Sequence, residues 1–175
     1  MFPLNSANDH LLKHYPQLLE LIHLNEKERK ESLLRIFKRD IEDNANFSFR
    51  NKQIRPIKKD GQAPMQVLFH HLTTRSDKDE MGREIKARSQ RLQWIKHHTD
   101  EASPIGVEIF SYEDRTDRKD VIRTYIYDTE QNYVIILEPY RNGLDYYLLT
   151  AYHLHESGGK KQILKKIQRK LPEVH

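Results

Sequence analysis

The sequence predicts an α+β fold, in which an N-terminal helical hairpin is followed by a four-stranded antiparallel sheet packed on a helix and by a basic C-terminal helix. Three observations predict it. Apolar residues recur at helical spacing in the first part of the chain and again near its end, and four runs rich in Val, Ile, Tyr and Leu lie between them. We expect residues 1–60 to form a helical extension and residues 61–175 to form the main domain.

Two helices over about residues 8–43 make up the expected hairpin. Pro16 interrupts the first helix, so a kink or a late start near this residue is expected. Asn25 stands three residues before Glu28, which is the spacing of a capping box that starts the second helix. One face of each helix is apolar, with Leu11, Leu12, Tyr15, Leu18, Leu19 and Ile22 in the first and Leu33, Leu34, Phe37 and Ile41 in the second.

A basic connection that contains Pro and Gly follows the hairpin. It holds an expected edge strand at residues 47–49, and the domain boundary is expected near residues 60–64. The apolar run over residues 65–72 fits a buried strand or a helix, and its pattern does not separate the two. Residues 83–99 predict a helix. This helix carries two neighbouring stripes, made of Ile85, Arg88, Leu92 and Ile95 and of Arg91, Trp94 and His98.

Four β-rich runs joined by short polar links predict an antiparallel meander. The runs are Val107–Tyr112, Val121–Tyr127, Tyr133–Glu138 and Tyr146–His153. Asn142 and Gly143, between the last two runs, are typical of a tight hairpin turn in which both positions need a positive φ. The basic segment over residues 160–171 predicts a short amphipathic helix. Its inner side carries Ile163, Leu164, Ile167 and Leu171.

Composition excludes several classes of protein and of site. The chain has no Cys, which rules out disulfides, thiolate zinc sites, iron–sulfur clusters and Cys nucleophiles. No apolar run is long enough to span a membrane, and the sequence lacks a P-loop, a G-x-S-x-G elbow and an H-E-x-x-H pair. We expect no standard secretory signal and a cytoplasmic site of action, with delivery into a target or host cell left open.

The charge of the chain is unevenly distributed. The net charge is +4, yet residues 101–156 hold 5 basic and 11 acidic side chains, whereas residues 157–175 hold 6 basic and 1 acidic. Basic ends that flank an acidic middle fit a polyanion partner such as nucleic acid, because Lys and Arg release counterions when they bind phosphate. A solvated basic surface explains the same distribution equally well.

Histidine is abundant, and six of the 10 residues stand in close pairs: His70 with His71, His97 with His98, and His153 with His155. No carboxylate stands at a telling interval from these pairs, so we expect no metal site and no cofactor. An acid–base role suits His better, because its pKa lies near neutrality. RNA cleavage without a metal needs such groups together with a cation that grips the phosphate, a task suited to the planar fork of Arg. The candidate parts are His70 or His71, Arg88 or Arg91, and Thr150, Tyr152 and His153.

Residues 67–153 resemble the phage-type branch of the barnase–EndoU–colicin–RelE-like (BECR) nuclease superfamily. The resembling pieces are HHLTTR at 70–75, RSQRLQWIK at 88–96 and YYLLTAYHL at 146–154. The resemblance implies a metal-independent endoribonuclease of the toxin, effector or phage-related kind, which cleaves RNA by attack of the 2′-hydroxyl on the adjacent phosphate. It also implies a phosphate-binding cleft on the open face of the sheet, RNA as the partner, and an inhibitor or immunity protein as a second candidate partner.

The resemblance also implies roles for individual residues. His71 falls at the early His of the family and would carry a proton, and Arg91 falls at the second Arg of the helix motif and would hold the phosphate. Thr150 and Tyr152 fall in the final strand motif on one face of the strand. Thr150 would donate a hydrogen bond to the phosphate, and Tyr152 would donate a second one or stack on a base. The expected substrate-binding residues are Arg88, Trp94, Lys96 and His153.

Some of these assignments have competing explanations. His153 would face away from Tyr152 unless a bulge intervenes. Arg88 fits a buried structural Arg, Trp94 fits helix-to-sheet packing, and Lys96 fits an ordinary surface residue. For the whole protein, a non-catalytic nucleic-acid-binding protein and a protein-interaction module compete with the ribonuclease. The interaction module requires that apolar side chains of the hairpin face outward, at Leu11, Leu18, Phe37 and Ile41.

Overall fold

The computed structural model describes residues 10–74, 87–154 and 157–175. These residues form a mixed α+β fold around a six-stranded sheet. The helices are α1 (Glu26–Phe37), α2 (Pro64–Thr73), α3 (Trp94–Thr99) and α4 (Ser157–Gln168), with a 3-10 turn at His10–Leu12 and a π-helical segment at Lys38–Glu42. The strands are β1 (Ser48–Phe49), β2 (Lys52–Pro56), β3 (Val107–Arg115), β4 (Asp120–Asp128), β5 (Tyr133–Tyr140) and β6 (Asp145–His153).

The sheet runs in the order β1-β2-β6-β5-β4-β3. Strands β3 to β6 form the predicted antiparallel meander, so this part of the prediction is confirmed. The four-stranded sheet is nevertheless too small, because β2 pairs parallel to β6 and β1, the expected edge strand, pairs antiparallel to β2. The pattern of apolar residues did not predict β2, because this strand buries only Ile54 among its five residues. Its pairing with β6 defines the strand, and an alternation of apolar and polar residues does not.

The prediction of a first helix in the hairpin is wrong. After the turn at His10–Leu12, the chain runs as an irregular segment to the start of α1. Pro16 has no N–H to donate within a helix. The carbonyl of Gln17 instead accepts hydrogen bonds from the side chains of Gln93, at 2.8 Å, and Trp94, at 3.0 Å. Contacts with the residues around the start of α3 therefore replace helical bonding in this segment.

The second helix of the hairpin is confirmed as α1, and it starts with the predicted capping box. The Asn25 side chain accepts a hydrogen bond from the Glu28 amide at 2.9 Å, and the Glu28 carboxylate accepts one from the Asn25 amide at 3.0 Å. Phe37 and Ile41 are 1% and 3% exposed. Two of the side chains that an interaction module needs on the outside are therefore used in the core.

Residues 65–72 are helical, so the structure decides the choice that their pattern left open. Helix α2 begins with Pro64, whose missing N–H is not needed in a first turn. The helix expected over residues 83–99 is confirmed in its last part, as α3, while residues 83–86 lie outside the described residues. Ahead of α3 the amides bond three residues back, as from Trp94 to Arg91 at 2.9 Å, so this stretch is a series of turns.

Both faces of the sheet are covered, because adjacent residues of a strand point into different cores. On one face, the large core contains Ile126 and Ile135 together with residues of α1, α2 and α3. On the opposite face, the small core contains Tyr125 and Val134 and is covered by α4 through Ile163. Each of the two middle strands of the meander is thereby buried on both sides.

The C-terminal helix is confirmed as α4, but Leu164, expected on its inner side, is 45% exposed because it lies about a quarter turn away from the buried Ile163.

The expected domain boundary near residues 60–64 does not separate the cores. Phe49 and Tyr146, from either side of that boundary, share the large core, with ring centroids 5.9 Å apart. The division into separate units at 1–60 and 61–175 stays a prediction.

The capping box of α1 makes a testable contribution to stability. We expect Asn25→Ala to lower the free energy of unfolding by about 1 kcal/mol, because the Glu28 amide loses its acceptor. Asn25→Asp keeps an acceptor oxygen at the same place and serves as the control. Urea denaturation of the three proteins measures the difference. An equal loss in both variants would show that the cap itself contributes nothing.

Candidate functional site

The expected site residues come from three parts of the chain that meet at one end of the sheet. His71 lies in the last turn of α2, Arg88 lies in the helical residues 87–89, and Arg91 lies in the turns ahead of α3. Thr150 and Tyr152 lie at the end of β6, where that strand pairs with the start of β5. The region is therefore formed by the end of β6 and by the helical parts next to it.

Arg88 connects these parts. Its Nη1 donates a hydrogen bond to the carbonyl oxygen of His71 at 2.8 Å, and its Cζ lies 5.7 Å from the centroid of the Tyr152 ring. The second distance is within the range of cation–π attraction. The guanidinium is half-buried and keeps its charge, since Arg does not deprotonate in proteins. Arg88 thus contacts two other predicted site residues, His71 and Tyr152.

His71 stands at the exposed rim of this cluster. Partial burial of its imidazole lowers the pKa of His71 below the usual His value, and the positive charges of Arg88, Lys59 and His70 lower it further. The neutral form is therefore favoured at neutral pH, and a neutral imidazole can accept a proton. The chemistry that His71 offers is that of a base beside a fixed cation.

Thr150 and Tyr152 share one face of β6, as predicted. The register of the β5–β6 pair shifts between Ile136 and Leu137, but the shift precedes Thr150, so the alternation from Thr150 onward is regular. Tyr152 is half-buried and packs against the small core. The Oγ1 atom of Thr150 is buried and has no hydrogen-bond partner in the described part of the chain. Thr150 is therefore not presented to a phosphate at the surface, contrary to its expected role.

His153 points to the opposite face from Tyr152. It pairs with Tyr133, whose ring belongs to the large core, whereas Tyr152 pairs with Val134 of the small core. The one irregularity of this strand pair lies too far back along β6 to change that alternation. His153 and Tyr152 therefore lie on opposite faces of β6, as the alternation predicts, and substrate binding by His153 stays a prediction.

Arg91, the expected phosphate clamp, is held elsewhere. Its Nη1 donates to the carbonyl of Ala87 at 2.8 Å, and its Cζ lies 5.1 Å from the Trp94 ring centroid. Burial lowers the pKa of Arg91, while the nearby Tyr133 acts in the opposite direction. Its contacts place it beside the large core, and Arg88, three residues earlier, takes the position next to His71 and Tyr152 that was expected for the clamp.

Trp94 and Lys96 do not join the cluster. Trp94 is 1% exposed, and its indole N–H donates to the carbonyl of Gln17, so its side chain packs the large core instead of binding a substrate. Lys96 forms an ion pair with Asp100, four residues later on the same helix. Both residues therefore have structural partners that account for their positions.

A buried polar network behind this site was not visible in the sequence. The carboxylate of Asp128 accepts a hydrogen bond from the Tyr15 hydroxyl at 2.6 Å and lies 3.2 Å from Nε2 of His98. Its second oxygen accepts the amides of Glu130 and Gln131. Tyr15 and Asp128 are 113 residues apart, so no local pattern could pair them. The network ties the irregular N-terminal segment to α3 and to the turn after β4.

The ionisation of Asp128 reflects two opposing effects. Burial raises the pKa of the Asp128 carboxyl, but hydrogen bonds from His98, Tyr15 and the Gln131 amide outweigh it, and the net pKa is below the usual Asp value. Burial and the hydrogen bond to Asp128 raise the pKa of Tyr15, so its hydroxyl remains protonated and donates. The network is therefore built around a buried carboxylate anion.

Within the described ranges, no three His, Asp or Glu side chains are grouped so that they could hold a metal ion. None of the helices in those ranges is both long enough and apolar enough to cross a bilayer. No protein family, no curated protein and no solved structure matches this chain on comparison.

Acid should weaken the fold through Asp128. Because the pKa of this carboxyl is lower in the folded chain, its stabilisation is present above the ordinary Asp pKa of about 3.9 and is lost as pH falls through the folded value. We expect Asp128→Asn to cost about 3–5 kcal/mol near neutral pH, because it breaks a buried charged network.

Urea denaturation of both proteins from neutral to acidic pH measures this effect. The difference between wild type and Asp128→Asn should shrink below the ordinary Asp pKa, as the wild-type carboxylate is protonated. A difference that stays constant over the whole range would show that the charge of Asp128 is not what stabilises the network. Tyr15→Phe, which removes one donor and leaves the anion, should show a smaller loss than Asp128→Asn.

Proposed function

We propose that the protein is a metal-independent endoribonuclease related to the BECR nucleases. The observation that carries the proposal is the position of Arg88, whose guanidinium donates to the backbone carbonyl of His71 and lies over the ring of Tyr152. The three residues come from two helical segments and a strand, and they bring an imidazole, a cation and a phenol into the same region. This is the set of groups that cleavage of RNA by its own 2′-hydroxyl requires.

Each of the three groups has a defined part in the proposed reaction. Neutral His71 takes the proton of the 2′-hydroxyl as that oxygen forms a bond to the adjacent phosphorus. The positive charge of Arg88 stabilises the negative charge that builds up on the phosphate oxygens. The bond from phosphorus to the 5′-oxygen breaks while Tyr152 donates a hydrogen bond to that oxygen. A proton from solvent converts the released oxygen to a hydroxyl, and protonated His71 returns its proton to solvent. The products are a 2′,3′-cyclic phosphate and a 5′-hydroxyl.

The lowered pKa of His71 favours catalysis over binding alone. A surface that only attracts phosphate gains nothing from a neutral imidazole, whereas a general base must be unprotonated before it reacts. Cytoplasmic action, RNA as substrate and an inhibitor protein as partner belong to the same proposal. A non-catalytic nucleic-acid-binding protein is the second candidate, because Arg88 and the basic end of the chain would serve it equally.

Substitution of the cluster tests the proposal. We expect His71→Ala to lower the rate of cleavage of total RNA in EDTA by about 10²–10⁴-fold, which is the usual contribution of a positioned acid or base. His70→Ala removes the neighbouring exposed imidazole and is the matched control, with an expected rate close to wild type. Detection of the 2′,3′-cyclic phosphate end identifies the reaction. Binding without any product over about pH 5–9, the range in which His titrates, would favour the non-catalytic alternative.

The second test concerns the cation and the pH profile. We expect Arg88→Ala to lower kcat/KM by about 10²–10³-fold, and Arg88→Lys to recover part of this loss because it restores a charge without the planar fork. Thermal melting controls for folding, since Arg88 also binds the carbonyl of His71. The wild-type rate should persist to a lower pH than the ordinary His pKa of about 6.5 allows. An activity that falls off at or above that pH would contradict the role of His71.

A further inference from the structure

The outward side of α4 and the residues that follow it are strongly basic. Between residues 157 and 172 the sequence contains no Asp or Glu. Five basic side chains here are exposed and have no acidic partner among the residues that the structure describes: Lys160, Lys161, Lys165, Arg169 and Lys170. The basic patch defined by these five residues is the feature from which we infer a second binding surface.

The rotation of α4 on the sheet is fixed by its inward side. Ile163 is 3% exposed in the small core, and Ile167 packs against that core. Lys166, the one basic residue that turns inward, pairs with Asp114 and donates to the Tyr125 hydroxyl at 2.9 Å. These contacts leave the helix no freedom to turn its cations toward the sheet, so the basic patch is presented to solvent.

The spacing of the cations in the basic patch destabilises the helix when no partner is bound. Lys161 and Lys165 stand four residues apart in the helix, which places them about 6 Å apart along its axis, and Arg169 follows in the turn just after the helix ends. Like charges at this spacing repel one another and destabilise a helix. A row of evenly spaced, uncompensated cations is what a regularly spaced polyanion would neutralise.

Two kinds of polyanionic surface would suit a basic amphipathic helix, and the packing of α4 separates them. A helix that binds a lipid surface must insert its apolar side into the bilayer. In this protein the apolar residues Ile163 and Ile167 are already packed against the sheet. The cations remain available to a phosphate backbone, which needs no apolar insertion, so nucleic acid is the favoured occupant.

The basic patch and Tyr152 belong to the same side of the sheet. Tyr152 and Ile167 pack against the same small core, and Lys166 of α4 pairs there with Asp114 of β3. We propose that the basic patch of α4 binds the phosphate backbone of RNA outside the cleft. This proposal rests on the proposed function for the identity of the polyanion as RNA, and it adds a binding surface that takes no part in the chemistry.

The experiment measures how binding depends on salt. The probe is a fluorescent 2′-O-methyl oligoribonucleotide, which lacks the attacking hydroxyl and is not cleaved. The test variant combines Lys161→Gln, Lys165→Gln and Arg169→Gln. The control variant makes the same change in net charge on the exposed side of α1 and its π-helical segment, with Lys27→Gln, Lys30→Gln and Lys38→Gln. Gln is as good a helix former as Lys and Arg, so both variants are expected to fold.

We expect the slope of log affinity against log salt to fall in magnitude by about 2 in the test variant, because three contacts to a single strand are lost. The control variant should keep the wild-type slope. Equal slopes in the wild type and the test variant would overturn the proposal, and so would an equal change in the test and control variants. Tighter binding of the wild type to phosphatidylserine vesicles or to polyglutamate than to the oligonucleotide would overturn it in favour of a membrane or an acidic protein.

Failure of this proposal differs from failure of the proposed function. Cleavage of RNA that persists with an unchanged slope in the test variant would remove the basic patch and leave the ribonuclease. A changed slope in a protein that cleaves no RNA would remove the ribonuclease and leave the basic patch as a nucleic-acid-binding surface.

Discussion

Strand β6 is paired on both edges and covered on both faces, and the rest of the molecule is arranged around it. It pairs antiparallel with β5 and parallel with β2. Tyr146, Leu148 and Ala151 point into the large core, while Leu149 and Tyr152 border the small core. A strand enclosed in this way must have helices on both sides, because each face would otherwise expose apolar area to water. The end of β6 is therefore the place where side chains from separate elements can meet.

The choice between two arginines shows how that enclosure shapes the site. Arg91 follows Arg88 by three residues, yet Arg88 contacts the His71 carbonyl and the Tyr152 ring, whereas Arg91 lies over Trp94. A guanidinium packed beside an aromatic core loses water, so its N–H groups need acceptors in the protein. Backbone carbonyls accept from both arginines, that of Ala87 from Arg91 and that of His71 from Arg88.

The buried carboxylate of Asp128 orders the same end of the sheet, because Asp128 pairs with Tyr133 and Tyr133 pairs with His153. A buried anion is tolerated only where several donors converge on it, and here they come from a tyrosine, a histidine and two backbone amides. The irregular N-terminal segment is held by this network and by the carbonyl of Gln17, and helical periodicity contributes little. The segment keeps Trp94 in place and thereby supports the part of the chain that carries Arg88.

The sequence by itself determined the features that depend on residues close together in the chain. The Asn25 and Glu28 pair set the start of α1, the β-rich runs set the four strands of the meander, and the spacing of Ile163 and Ile167 set the inner side of α4. The sequence also narrowed the candidate site to a few His, Arg and Tyr residues. Only the tertiary structure decided that β2 joins β6, that Tyr15 reaches Asp128, and that Arg88 takes the place expected for Arg91. Periodicity reports which residues share a face of one element, whereas the partner of that face is chosen by packing between residues far apart in the chain.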